Sequence, residues 1–149
     1  MAGVSCKTRM NGLQQLQARL NQLSAARIDF KPLLEEVGAL IESETRYRIE
    51  TEKESPAGDK WPEWSEAYAK TRHSGHSLLE NEGDLADSLT SELIKKNTVE
   101  TGTPLIYGAT QHLGDDDRNI PAREFLPGEL IEIHGLEDLL NDFVGRMTS

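Results

Sequence analysis

Apolar residues first recur at helical spacing at Met10, Leu13, Leu16, Leu20 and Leu23, separated by glutamines and arginines. Steps of three and four put them on one narrow stripe, which predicts an amphipathic helix beginning near Thr8 or Asn11. Asp29 then stands as an N-cap, with Pro32 in the first turn, where a missing N–H costs little. Phe30, Leu33, Leu34, Val37, Leu40 and Ile41 form a second helical stripe. Past Ile41 the pattern turns polar, with Glu42–Arg46 and Glu44–Arg48 in the favourable i,i+4 order. The expectation over residues 8–53 is a helical hairpin whose second helix protrudes as a charged arm.

Residues 54–82 lose this periodicity. Ser55-Pro56-Ala57-Gly58 reads as a turn, and Trp61 before Pro62 is held out of the α region. Ser65 is placed to cap a short helix through Lys70, and His73 to Ser77 read as a loop. Within 83–134, Gly83-Asp84-Leu85 leads into a short element ending near Leu89. Leu93 to Lys96 and Thr98 to Thr101 flank Asn97 as a hairpin or bulged strand. The small-residue segment Leu105 to Gly114 follows, and Phe125-Leu126 and Leu130 to Ile133 are the last extended candidates. Strand signals are thus confined to the later half. Over 135–148, Leu136, Leu139, Leu140, Phe143, Val144 and Met147 define a C-terminal amphipathic helix. The class predicted is α+β in one domain spanning 1–149: helical hairpin, Trp-containing loop region, short antiparallel sheet with short helices, and closing helix.

Composition sharpens this picture. At 149 residues, a chain buries roughly 70% of the surface its unfolded form exposes, enough for one ordinary core. An apolar fraction of 36% with 5% aromatics is lean and leaves much helix surface solvated or waiting for a partner. The formal charge of −10, from 26 acidic and 16 basic residues, argues against gripping nucleic acid by its phosphates. One cysteine, Cys6, cannot form an internal disulfide, which suits a reducing cytosol. No apolar run approaches the ~18 residues of a membrane span, and the N-terminus lacks the apolar stretch of a signal peptide.

The search for chemistry returns little. His73 and His76 have ligand-like spacing, but no second Cys or His pair completes a zinc site. Asp115, Asp116 and Asp117 are consecutive and point different ways, unlike an alternating calcium loop; they read as a solvated acidic loop. No Gly-x-Ser-x-Gly elbow or Gly-rich phosphate cradle exists, and Cys6 has no histidine nearby in sequence. No residue is assigned a catalytic, cofactor-binding or metal-binding role, and no cofactor is implied. Trp61 and Trp64 read as plugs for the core end of the helical hairpin, or as interface anchors. Tyr107, Gln111 and His112, among small residues, read as one face of a short helix pressed closely against a neighbour. Arg123, before Phe125, reads as a salt-bridged arginine that fixes the acidic loop.

Taken in order, Pro56-x-Gly58-x-x-Trp61-x-x-Trp64, Gly83-x-Leu85-x-x-Ser88, Tyr107-x-x-x-Gln111-His112-x-Gly114 and Ile120-Pro121-Ala122-Arg123-x-Phe125-Leu126 resemble the phage virion morphogenesis family, the tail completion proteins of Mu-like and related tailed phages. The resemblance covers about residues 8–147. Two positions differ from its usual wording: Gln111-His112 where His-Gln is commoner, and Glu124 where proline is common. It implies a non-enzymatic structural protein acting at the neck, completing the tail or joining it to the filled head. It also implies a ring of copies, commonly six-fold, around a channel through which DNA passes without sequence-specific binding. Its partners would be its own copies and neighbouring neck or tail proteins, in the virion and, during assembly, the host cytoplasm. A −10 subunit repeated around such a ring would line the passage with negative potential. The polar arm of the second helix and the acidic loop would be contact surfaces.

Two readings of other classes compete. One is a small acidic adaptor that binds a host protein through the helical hairpin. The other is a metal-dependent hydrolase built on His73, His76 and the aspartates.

Overall fold

In the computed structural model, which describes residues 3–9, 11–23, 29–72, 76–80 and 83–148, a three-stranded antiparallel sheet carries the molecule. Its strands are β1 (Val4–Arg9), β2 (Thr90–Lys95) and β3 (Thr98–Thr103), in the order β1-β3-β2. β2 and β3 form the hairpin expected around Asn97, with an irregularity between Leu93 and Lys95. β1 corrects the expectation that strands are confined to the later half: Val4 pairs with Thr103 and Arg9 with Thr98. Its alternation puts Val4, Cys6 and Thr8 on the same face as Thr103, Thr101 and Val99, while Ser5, Lys7 and Arg9 take the other.

Helix α1 (Leu13–Leu23) follows β1 and begins later than Thr8 or Asn11. Leu13 packs against the core and Leu16 stays exposed. Met10 lies outside the described residues, as do the side chains of Leu20 and Leu23. Helix α2 (Lys31–Tyr47) lies across the sheet. Asp29 does meet its first turn, accepting the Lys31 N–H at 3.0 Å, although the half-in cap residue is Phe30. The closing helix α6 (Leu136–Thr148) packs on α2, with the Phe30 and Phe143 rings 5.9 Å apart. Fully burying side chains such as Leu34, Val37 and Ile41 contributes about 1.5–3 kcal/mol each. On the exposed rim, Arg146 grips both carboxylate oxygens of Glu36 at 3.0 and 2.9 Å.

The charged arm is not an arm. Thr45, Arg48 and Ile49 are buried, and α2 runs on into a wider π-helical turn, Arg48–Glu52, inside the fold. Glu42 pairs with Arg46 at 3.1 Å as expected. Glu44 does not pair with Arg48: its carboxylate accepts the His134 N–H at 3.2 Å, while Arg48 turns inward. Burial disfavours the charged form of Glu44 and raises its pKa. Lys53, with φ 58°, stops the turn. Its ammonium donates to the Ile49 carbonyl, Ser77 Oγ (2.8 Å), the Leu78 carbonyl (2.9 Å) and Glu80 (3.3 Å), pinning residues 77–80 to the end of the helix.

Ile49 opens a second apolar cluster with Trp61, Leu78, Leu85, Leu89, Phe125 and Leu126. Three short helices surround it. In α3 (Glu66–Ala69), Ser65 Oγ accepts from the Tyr68 N–H, as the sequence predicts. Helix α4 spans Asp84–Asp87 and α5 spans Ile106–Leu113. Leu130 to Ile133, expected to be extended, instead holds a 3-10 turn at Leu130–Glu132, whose Glu132 carboxylate accepts the Gly128 and Glu129 N–H groups.

Helix α2 approaches the sheet closely at Gly38. A Cβ there would sit 2.8 Å from Val99 Cγ2 and 2.9 Å from Ser91 Cβ, and Ser91 Oγ donates to the Gly38 carbonyl at 2.8 Å. Gly38→Val should cost about 1–3 kcal/mol through overpacking. Gly145→Ala, in α6 with nothing within 4 Å of the added carbon, should gain about 0.5–1 kcal/mol. Urea unfolding midpoints of the two variants against the parent check both signs.

Candidate functional site

The sequence-selected residues Trp61, Trp64, Tyr107, Gln111, His112, Arg123 and Phe125 meet in one region, around the segment Ile120 to Leu126. That segment takes no strand partner, so its buried backbone groups must find others. Arg123 N–H donates to the Gln111 carbonyl at 2.8 Å, fastening the segment to the end of α5. Trp61 Nε1 donates to the Glu124 carbonyl at 2.9 Å. Arg48 Nη1 donates to the Phe125 carbonyl at 2.8 Å. The Phe125 N–H goes to His112 Nδ1 at 3.2 Å, and the two rings meet edge-on with centroids 5.0 Å apart.

Arg123 answers in the opposite direction. The residue is 6% exposed, and its guanidinium donates through Nε to the Pro62 carbonyl (2.9 Å) and through Nη2 to the Glu63 carbonyl (3.3 Å). These are the carbonyls of the turn that carries Trp61 and Trp64. The salt bridge expected between Arg123 and the acidic loop does not form. Arg118 takes that place, with Nε 2.7 Å from Asp115 Oδ2. Asp115 also accepts the Arg118 N–H and closes a bridge with Ile120. Asp115 is thus a turn cap, held below its usual pKa by the Arg118 side chain, and Asp116 and Asp117 are exposed.

Tyr107 and Gln111 share one face of α5, whereas His112 turns inward onto Phe125. Tyr107 and Gln111, with Trp64, Tyr68 and Arg123, line an open cleft of about 870 Å³. Trp64 and Tyr68 meet edge-on at 5.9 Å along its wall. Trp61 is buried in the cluster that holds Ile49 of the π-helical turn, and Trp64 packs against that cluster partly buried. Arg48, Lys53 and Tyr68 were not singled out by sequence. For Arg48 the signal was present: it stands seven residues after Ile41, on the stripe that continues inward.

Burial removes the usual reactivity of the two groups most able to react. The Cys6 thiol is pushed up to about 11 and stays protonated at neutral pH. His112 is held below its ordinary value by burial, which matches a neutral ring accepting at Nδ1. Among the described residues no three His, Cys, Asp or Glu side chains converge as a metal site. His73 lies outside those residues, while His76 lines the cleft.

Two expectations follow. Arg123→Lys should cost about 1–2 kcal/mol, because an ammonium cannot span both carbonyls; thermal unfolding reads this. The lowered His112 pKa means that the unfolded chain binds this proton more readily. Its stabilisation is therefore complete above pH 6.5 and is lost as pH falls through the lowered folded value. His112→Asn keeps an acceptor without titrating, so its melting temperature should fall less than the parent's between pH 7.5 and 5.5.

The described helices include none long and apolar enough to cross a membrane. No curated protein and no solved structure shows significant similarity to the chain. A family model described as the phage virion morphogenesis family matches residues 12–141, which takes in α1, the Trp turn, the cleft and the Ile120 to Leu126 segment. On that match over most of its length, the chain belongs to the phage virion morphogenesis family.

Proposed function

We propose that this phage assembly protein completes the tail or joins it to the filled head, as a ring of copies around the DNA passage, with no catalytic step of its own. The observation that carries the self-assembly part is the outward face of α5. Ile106 and Leu113, seven residues apart and so on one side of the helix, are 78% and 71% exposed. Two large aliphatic side chains held in water on a rigid element suit a surface that association covers. The Arg123 segment ties this element to the Trp turn, so its position is fixed by that network.

The net charge of −10 supports the channel part, since repeated acidic subunits repel DNA phosphates and let the duplex slide. One face of the polar stretch after Ile41 is buried, which leaves Ser43, Tyr47 and Glu50 among its exposed positions. The exposed Asp116 and Asp117 still offer a contact surface.

Electron microscopy of particles made without the protein tests the placement. Separate full heads and tails are expected for a joining role, and tails of irregular length for a terminator; intact particles would refute both. For the surface, Ile106→Glu with Leu113→Glu should leave the melting temperature within about 4 °C of the parent, because exposed substitutions cost little. The same pair should abolish infective particles. Normal titres from the pair would remove α5 from the assembly contacts.

A further inference from the structure

The sheet ends on an open edge. β1 is an outer strand, and alternate N–H and C=O groups along it point away from β3. Among the described residues, no backbone group from Ser5 to Arg9 meets a partner on that side. Beside the edge runs a groove of about 480 Å³, whose opposite wall includes Leu126, Pro127, Gly128 and Leu130. This wall cannot serve as the missing strand: Pro127 has no N–H, and the Gly128 and Glu129 amides are already taken by Glu132. The groove therefore stays open along β1.

Its two sides differ in chemistry. On the inward side Cys6 and Thr8 look toward Leu126, Ile133 and the His112 ring. On the outward side Lys7 and Arg9 are exposed and make no ion pair among the described residues. Glu100, directly across from Lys7 on β3, is held by Ser5 Oγ at 2.8 Å, and Glu129 sits on the far wall. In a chain of charge −10, two neighbouring cations at an unpaired edge favour an anionic mate.

We propose that β1 is a strand-addition site for an extended peptide in which acidic and aliphatic residues alternate. The peptide's main chain pairs with the free edge, its acidic side chains stand opposite Lys7 and Arg9, and its aliphatic side chains enter the groove beside Leu126. This assignment does not depend on the neck placement proposed above.

The test uses the intact protein and a blocked octapeptide of alternating Glu and Val, with an alternating Lys and Val octapeptide as control. NMR hydrogen exchange reads the amides of Ser5 to Arg9. The outward amides should slow about tenfold at peptide near ten times its Kd, and the Lys peptide should leave them unchanged. Lys7→Glu with Arg9→Glu should weaken the Glu peptide at least about fivefold, while β3 amides keep their protection and so report an intact fold. Three results would overturn the proposal. No slowing would leave Lys7 and Arg9 as guards of a bare edge, and equal slowing by both peptides would remove the charge readout. Slowing that grows with protein concentration alone would mean that a second copy fills the groove.

Discussion

A buried backbone that has no sheet to pair with must be satisfied by side chains, and this requirement organises the second half of the molecule. Beyond the Ile120 bridge to Asp115, the segment to Leu126 passes between α5 and the Trp turn without ladder hydrogen bonds. Its carbonyls at Glu124 and Phe125 are met by Trp61 and Arg48, and its Phe125 N–H by His112. Arg123 returns the favour to Pro62 and Glu63. The side chains that meet the segment sit on different elements, and loss of Arg48 would leave the Phe125 carbonyl buried without its donor. The cleft, the outward face of α5 and the positions of both tryptophans all follow from that cross-tied segment.

Helices α2 and α6 and the β2–β3 hairpin were legible because their patterns are long or sharply punctuated. Ser65 was legible as a cap because its hydroxyl needs only a local N–H. β1 was missed because its inward face offers Val4, Cys6 and Thr8 rather than three large hydrophobes, and its register comes from a partner about ninety residues away. The continuation of α2 was misread for a related reason. Its buried stripe goes on through Thr45, Arg48 and Ile49, two of which are polar and find their place only through tertiary structure. Leu130 to Ile133 carries a strand-like composition, but the local Glu132 hydrogen bonds decide for a tight turn.

The site was legible as a set of residues and not as a set of bonds. Trp61, His112, Arg123 and Phe125 were picked out in sequence, yet their partners are mostly main-chain atoms, which one-dimensional patterns do not reveal. An arginine beside three aspartates invites an ion pair. The structure has it otherwise: Arg118 satisfies Asp115, and Arg123 donates to the Pro62 and Glu63 carbonyls.

The cross-ties also bear on how the chain folds. The contacts of Arg123, Trp61 and Arg48 join positions 60 to 77 residues apart. Closing such long loops costs chain entropy before any hydrogen bond repays it. The hairpin and α2 are built from near neighbours, whereas docking of the Ile120 to Leu126 segment requires these long loops to close. Because that segment is fastened to α5 at Gln111, closing these loops also fixes where the Ile106 and Leu113 face points.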